Sequence, residues 1–246
     1  TATVTVTVNP VPNAGIDGTA IYCSNYAPSD LIVFLGATAQ PGGTWTPALA
    51  SGTGVFNPLV DAAGTYTYTV GGGLCSTDTA EVVVTVFQSP NAGGLGATLL
   101  INSCVTTNSV DLFTGLNGTQ GVGSWNDDDG TGALTDNVFN PSIAGAGTYH
   151  FTYTVSGGIS PCVSDSATVT VVVDPTPNSG TFAGIQSICT SVGTFDLTTL
   201  LTGSQPNGVW TDSNNVVVTS PIDVSTLAAG TYDYTYTITN GCGTDT

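Results

Sequence analysis

The chain of 246 residues contains no lysine, no arginine and no methionine, and its one histidine is His150. Acidic residues number 17, Glu81 being the one glutamate, so the formal net charge is -17. A typical domain carries about 25 % charged residues of both signs; here the charged share is 7 %, all of one sign. Without a cationic groove there is nothing to hold a phosphate backbone, which excludes nucleic acid as a partner. Anionic lipid surfaces are disfavoured for the same reason. No apolar run approaches the ~18 residues of a membrane span, so membrane insertion is not expected. The absence of basic residues also removes every trypsin-type cleavage site and every Lys–Asn isopeptide crosslink, a combination that suits life outside a cell.

Low charge content does not mean disorder here, because 40 % of the residues are apolar and they are patterned. The pattern is an internal repeat. "AGTYTYTV" (63–70) returns as "AGTYHFTYTV" (146–155) and "AGTYDYTYTI" (229–238). Trp45, Trp125 and Trp210 recur in step with it, as do "FNP" at Phe56–Pro58 and Phe139–Pro141 and the joints "NPVPNAG", "QSPNAG" and "DPTPNSG". The period is about 80 to 87 residues.

Each repeat reads as all-β. Tyr66, Tyr68 and Val70 alternate with Thr67 and Thr69, giving one apolar and one polar face. Tyr149, Phe151 and Tyr153 do the same in the second repeat, and Tyr232, Tyr234 and Tyr236 in the third. A closing strand follows as "TAEVVVTV" (79–86) or "SATVTVVV" (166–173), with Ala80, Val82, Val84 and Val86 facing inward. Short β-branched and aromatic strands punctuated by Gly, Pro and Asn predict tandem immunoglobulin-like β-sandwiches in an extended filament.

The opening "TATVTVTV" has the register of the closing strands, which makes Thr1, Thr79, Ser166 and Thr246 equivalent positions. The expected organisation is therefore 1–8 as the last strand of a preceding repeat, 9–86 and 87–173 as two repeats, and 174–246 as a third that lacks its last strand. Six cysteines fall two per repeat: Cys23 and Cys75, Cys104 and Cys162, Cys189 and Cys242. Six cysteines allow 15 pairings; recurrence of the same pair in each repeat predicts 23–75, 104–162 and 189–242. Each would close about fifty residues, worth roughly 4 kcal/mol from chain entropy. Disulfides imply an oxidising, extracellular setting. A thiol metal site is the rival reading, without any C-x-x-C to support it.

Three further features invite chemistry. "SWNDDDGTG" (124–132) gathers Asp127, Asp128 and Asp129 beside a glycine turn, oxygen ligands that suit Ca²⁺, or else a solvated Asx turn. The spacing is not that of an EF-hand, and no other cofactor is expected. His150 would need a nucleophile and an orienting acid to serve as a catalytic base, and it stands on the polar face where the other repeats have Thr67 and Asp233. No enzyme activity is expected. "TDTAEV" and "SDSATV" place Asp before Ser/Thr at the start of a closing strand, as turn residues do.

The P-N-A-G joint, the Cys-to-Trp stretch, the "AGTYTYTV" strand and "DTAEVVVTV" after the second Cys together resemble the tandem repeats of giant Bacteroidota cell-surface proteins, most closely the gliding-motility adhesins of the SprB type. That resemblance implies type IX secretion to the cell surface and a filamentous, adhesive or scaffold role. Its partners would be neighbouring repeats of a long chain, surfaces or polysaccharides, and motility or anchoring machinery bound through other regions. The Asp-Ser/Thr-aliphatic triplet similarly resembles the O-glycosylation acceptor of Bacteroidota, which implies glycans on Thr79 and Ser166, with Thr246 and Thr1 in the same register. The alternatives are a Ca²⁺-assisted glycan-binding module and a self-assembling subunit that exchanges strands.

Overall fold

A computed structural model describes every residue except Thr1, Thr53, Gly73, Leu74, Leu95, Gly96, Gly121, Gly158 and Ala183. The architecture is all-β, an immunoglobulin-like sandwich recurring along the chain, with one four-residue α-helix among the described residues, at Pro141–Ala144. Two compact units form: Thr1–Asn91 with Thr154–Asp165, and Ala92–Tyr153 with Ser166–Thr246.

In the first unit the Tyr strand Gly64–Gly72 pairs antiparallel with the closing strand Cys75–Phe87. The short strand Thr44–Thr46 lies on its other side, and Gly18–Cys23 runs parallel to the far half of the closing strand, with Cys23 opposite Phe87. Alternation decides which residues enter the core. Ala80, Val82 and Val84 are at most 3 % exposed and meet Tyr66, Tyr68 and Val70 of the neighbouring strand. A 3₁₀ turn, Leu31–Leu35, closes the opposite side with Phe56 from the small sheet Ser29–Asp30/Val55–Phe56. Asp30 caps that turn by accepting from the Ile32 amide at 3.0 Å, satisfying a backbone donor at the turn's start.

The second unit repeats this plan. Leu100–Cys104 runs parallel to the closing strand Asp165–Asp174, which neighbours the Tyr strand Gly147–Val155 and then Gly123–Asp127. Val169 and Val171 are fully buried against Phe139 and Phe151. Asp111 caps its 3₁₀ turn through the Phe113 amide, and Asp196 does so through the Thr198 amide in the third repeat.

One aromatic device recurs three times. Trp45 packs on Tyr68 with ring centroids 4.8 Å apart, Trp125 on Tyr153 at 5.0 Å, and Trp210 on Tyr236 at 4.8 Å. Each tyrosine hydroxyl then donates to a glutamine carbonyl: Gln40, Gln120 and Gln205. The joints are held as regularly. The amide of Ala14 donates to Asp78 and that of Ser179 to Asp245, both at 2.8 Å. Gly15 sits at φ 96, where an added Cβ would collide with the Leu35 carbonyl; this conformation and this closeness require glycine.

The third repeat is built differently. Its Tyr strand is shorter, Tyr234–Asn240, and pairs with Val209–Asp212 and with the three-residue strand Gly243–Asp245. No strand spans 184–189, the segment that corresponds to Gly18–Cys23. Ala2–Val8 also form no strand, and Val4, Val6 and Val8 are 84 %, 79 % and 88 % exposed.

Candidate functional site

The cysteines depart from the expected pairing. The bonds are Cys23–Cys162 and Cys104–Cys242, with Cα atoms 5.5 and 5.1 Å apart, and Cys75 and Cys189 are free thiols. The intradomain pairings 23–75, 104–162 and 189–242 do not form. Strand length is the reason. Cys23 lies beside Phe87, whereas Cys75 begins that same strand. Twelve residues at ~3.4 Å each put the two ends about 40 Å apart, and a disulfide needs Cα atoms within about 7 Å. In the first repeat Cys23 and Cys75 therefore lie at opposite ends of the closing strand, and Cys23 and Cys104 each bond the second cysteine of the next repeat.

The surroundings of the two bonds match. The Ser24 amide donates to the Phe87 carbonyl at 2.8 Å, and the Val105 amide to the Asp174 carbonyl at 2.9 Å. Beside the first bond the Tyr26 hydroxyl donates to the Pro161 carbonyl at 2.9 Å; beside the second the Asn240 side-chain amide donates to the Pro175 carbonyl at 2.8 Å. The bonds close 139 and 138 residues, worth about 5 kcal/mol each from chain entropy.

The acidic turn sends its three carboxylates to separate donors. Asp127 accepts from the Thr131 hydroxyl at 2.8 Å and the Gly132 amide at 3.1 Å. Burial pushes its pKa up, but the bonds from Thr131, Gly132 and Gly130 outweigh that and hold it below the ordinary carboxylate value. Asp128 accepts from the Asn126 side chain and the Thr152 hydroxyl, both at 2.6 Å. Asp129 accepts from the His150 amide at 2.6 Å and lies 3.1 Å from His150 Nδ1. Each carboxylate of the turn is thus hydrogen-bonded within the chain, and the described residues contain no group of three His, Cys, Asp or Glu placed to hold a metal ion. His150 is exposed, with Nδ1 3.1 Å from Asp129.

Thr79, Ser166 and Thr246 are all exposed, while Thr1 lies outside the described residues. The aspartates preceding two of these positions have a structural task that the sequence did not reveal: Asp78 and Asp245 fasten the joints at Ala14 and Ser179. The signal was present, since Asp recurs two residues before each closing-strand alanine, but its partner lies 64 residues away.

The third repeat carries an open groove of about 850 Å³, lined by core-type residues that include Leu197, Leu201, Trp210, Ile222, Tyr234 and Tyr236. The sequence did not point to a cavity of this size.

No family model matches the chain, and no curated protein does. Among solved structures it is similar to the insect immune protein hemolin, at 14 % identity over 68 % of this chain and 46 % of that one, with a TM-score of 0.36. It is also similar to the EC1-2 portion of human mucin-like protocadherin, at 12 % identity over 65 % of this chain and 96 % of that one, with a TM-score of 0.28. The chain spans less than half the length of hemolin. No helix among the described residues is long and apolar enough to cross a membrane.

Proposed function

We propose that the chain is a segment of a long extracellular surface filament, a stalk of sandwich repeats that also presents a multivalent adhesive face, as in gliding-motility adhesins of the SprB type. The observation that carries this reading is the covalent stitch from each repeat to the next. Bonds between successive repeats carry tension past the joints that link them. The joints are proline-restricted as well. A uniform charge of -17 keeps such a chain from collapsing on itself, and many weak contacts along it would add up by avidity. Disulfides suit an oxidising setting outside the cytoplasm. Its partners would be further repeats, surfaces and polysaccharides, with glycans on Thr79 and Ser166.

Pulling the chain by its ends in a single-molecule force experiment tests the stalk. Tension enters at the first residue, crosses at Cys23–Cys162 and leaves through Cys104–Cys242. About 86 residues can then extend, giving ~300 Å at ~3.5 Å per residue. After reduction the whole chain extends, to ~860 Å at the same rise. An oxidised chain that lengthens as far as the reduced one would sink the proposal.

A further inference from the structure

We infer that the outward face of the first repeat's main sheet binds an uncharged β-1,4-linked polysaccharide, an extended chain lying across the strands along rows of threonine hydroxyls. This deepens the filament reading, whose adhesive face it names, and rests on it.

The face follows from alternation. Tyr66, Tyr68, Ala80 and Val82 are buried in the core, so the residues between them point outward. Strand pairing arranges those residues in rows. Thr44 lies opposite Thr69, and Thr69 opposite Thr79. In the next row Thr46 lies opposite Thr67, and Thr67 opposite Glu81. Thr44, Thr46, Thr79 and Glu81 are exposed, and Thr67 and Thr69 are half-buried. Val83 and Ile21, farther along the same face, are 46 % and 50 % exposed.

The hydroxyls of these rows are open. Among the described residues none of the five threonine hydroxyls has a hydrogen-bond partner. The second repeat has the same sheet order but engages its polar groups internally. There Thr152 donates to Asp128 at 2.6 Å and meets the Thr168 hydroxyl at 2.9 Å. The Asn126 side chain donates to Asp128 as well, at 2.6 Å. A face that satisfies itself has little to offer a ligand; the first repeat's face has its donors and acceptors free.

Geometry selects the ligand. Hydroxyls in one row repeat every ~4.8 Å, the spacing of neighbouring strands. Sheet twist turns successive strands about an axis that runs along the row, so the row itself stays straight. A β-1,4-linked chain is also straight and advances by about one strand spacing per sugar, which brings one threonine to each sugar. Threonine offers a hydroxyl that both donates and accepts, beside a methyl group. The equatorial hydroxyls of such a sugar suit the first and its axial C–H groups the second. Glu81 ends its row as a carboxylate, able to accept from sugar hydroxyls in bonds stronger than neutral ones. An α-1,4-linked chain coils and leaves the row. Polyanions are repelled by a chain of charge -17 without a cationic residue. One row meets only about three sugars, so affinity per site is low and accumulates along a filament.

The test is depletion of the 246-residue chain from solution by microcrystalline cellulose and by chitin powder. Starch granules and alginate beads supply the α-linked and anionic comparisons. Production in a host without O-glycosylation leaves Thr79 bare. The expected result is binding to cellulose, chitin or both, none to starch or alginate, and little change between ~0.05 and ~0.5 M salt. The triple variant Thr44→Val/Thr67→Val/Thr69→Val keeps the β-branched shape and removes three hydroxyls. It should bind about 10-fold more weakly or worse. Glu81→Gln, exposed and outside the core, should weaken binding several-fold and carries the test should the triple variant misfold. Thr152→Val/Thr168→Val in the second repeat should change nothing. The proposal is overturned by a chain that binds neither cellulose nor chitin, by equal binding to starch, by full binding after the first-repeat changes, or by loss of binding on the second-repeat change alone. None of these outcomes alters the force-extension result for the stalk, so the two readings fail separately.

Discussion

The second and third repeats share a sequence plan, yet one has a closed core and the other an open one. In the second, Val169 and Val171 are fully buried and the Tyr strand runs for nine residues. In the third, the Trp210–Tyr236 pair and its hydroxyl bond are intact, but the Tyr strand keeps seven residues and an 850 Å³ groove lies beside it. In the third repeat Val209–Asp212 and Tyr234–Asn240 pair as their counterparts do in the first, whereas 184–189, the counterpart of Gly18–Cys23, has no strand structure. A parallel strand has no hairpin partner of its own and depends on a neighbour distant in sequence.

The sharpest way to break this contrast is to place a charge at one register position in two settings. Val169→Asp buries an unpaired carboxylate in a core with no space for water, and should cost more than ~4 kcal/mol and unfold the second repeat. Val4→Asp, at the equivalent position of the exposed strand, should change the stability of a single copy by less than about 0.5 kcal/mol. Denaturant midpoints measured in dilute solution check both. Equal losses would mean that Ala2–Val8 is already packed.

Next in size are the cysteines. Cys162→Ser removes a stitch that closes 139 residues and should cost about 2–5 kcal/mol. Cys189→Ser removes an exposed free thiol and should cost nothing measurable in a single copy. Thermal melts with and without reductant separate the two, and reductant should erase the difference between Cys162→Ser and the parent chain. A Cys162→Ser chain as stable as the parent would mean that the stitch contributes nothing.

These comparisons also show what the sequence could and could not say. The faces of the Tyr strands were legible because a strand alternates with period two; Tyr68, Tyr153 and Tyr236 are buried as that alternation requires. The closing strands were legible for the same reason, although the first begins four residues earlier, at Cys75. Disulfide connectivity was not. Pairing within a repeat and pairing to the next repeat are equally periodic, so the repeat alone cannot choose between them. Strand length chooses, because a closing strand that starts at Cys75 and ends at Phe87 carries its two cysteines' ends out of reach. Nor was Gly18–Cys23 recognisable as a strand, since its partner is more than sixty residues away and its pattern is mixed. The acidic turn was visible as a cluster, but one-dimensional proximity did not show that Thr131, Thr152 and His150 each claim a different carboxylate.

The smallest expected effect concerns acid, and it again separates closed from open regions. Asp61, 4 % exposed, accepts from the Ser51 amide at 2.9 Å and the Asn57 amide at 2.7 Å. Burial raises its pKa, but those bonds outweigh it and leave the carboxyl below its ordinary value of 3.8. The amide and hydroxyl of Ser179 likewise lower that of Asp245, which is half-buried in the third repeat. A depressed folded-state pKa gives stability that is fully present above the unfolded value and is lost as pH falls through the folded one. Stability should therefore hold from neutral pH down to about 5 and decline below about 4. Protonation also relieves repulsion among the 17 acidic groups, which acts in the opposite direction. Measuring in ~0.5 M salt, where the screening length is only a few ångströms, suppresses that term. Asp61→Asn should then cost about 1–3 kcal/mol at pH 7 and show a shallower acid decline than the parent. Asp245→Asn should change both quantities less, because Asp245 is only half-buried whereas Asp61 is 4 % exposed. Parallel acid profiles for Asp61→Asn and the parent chain would show that this buried carboxylate contributes no pH-dependent stability.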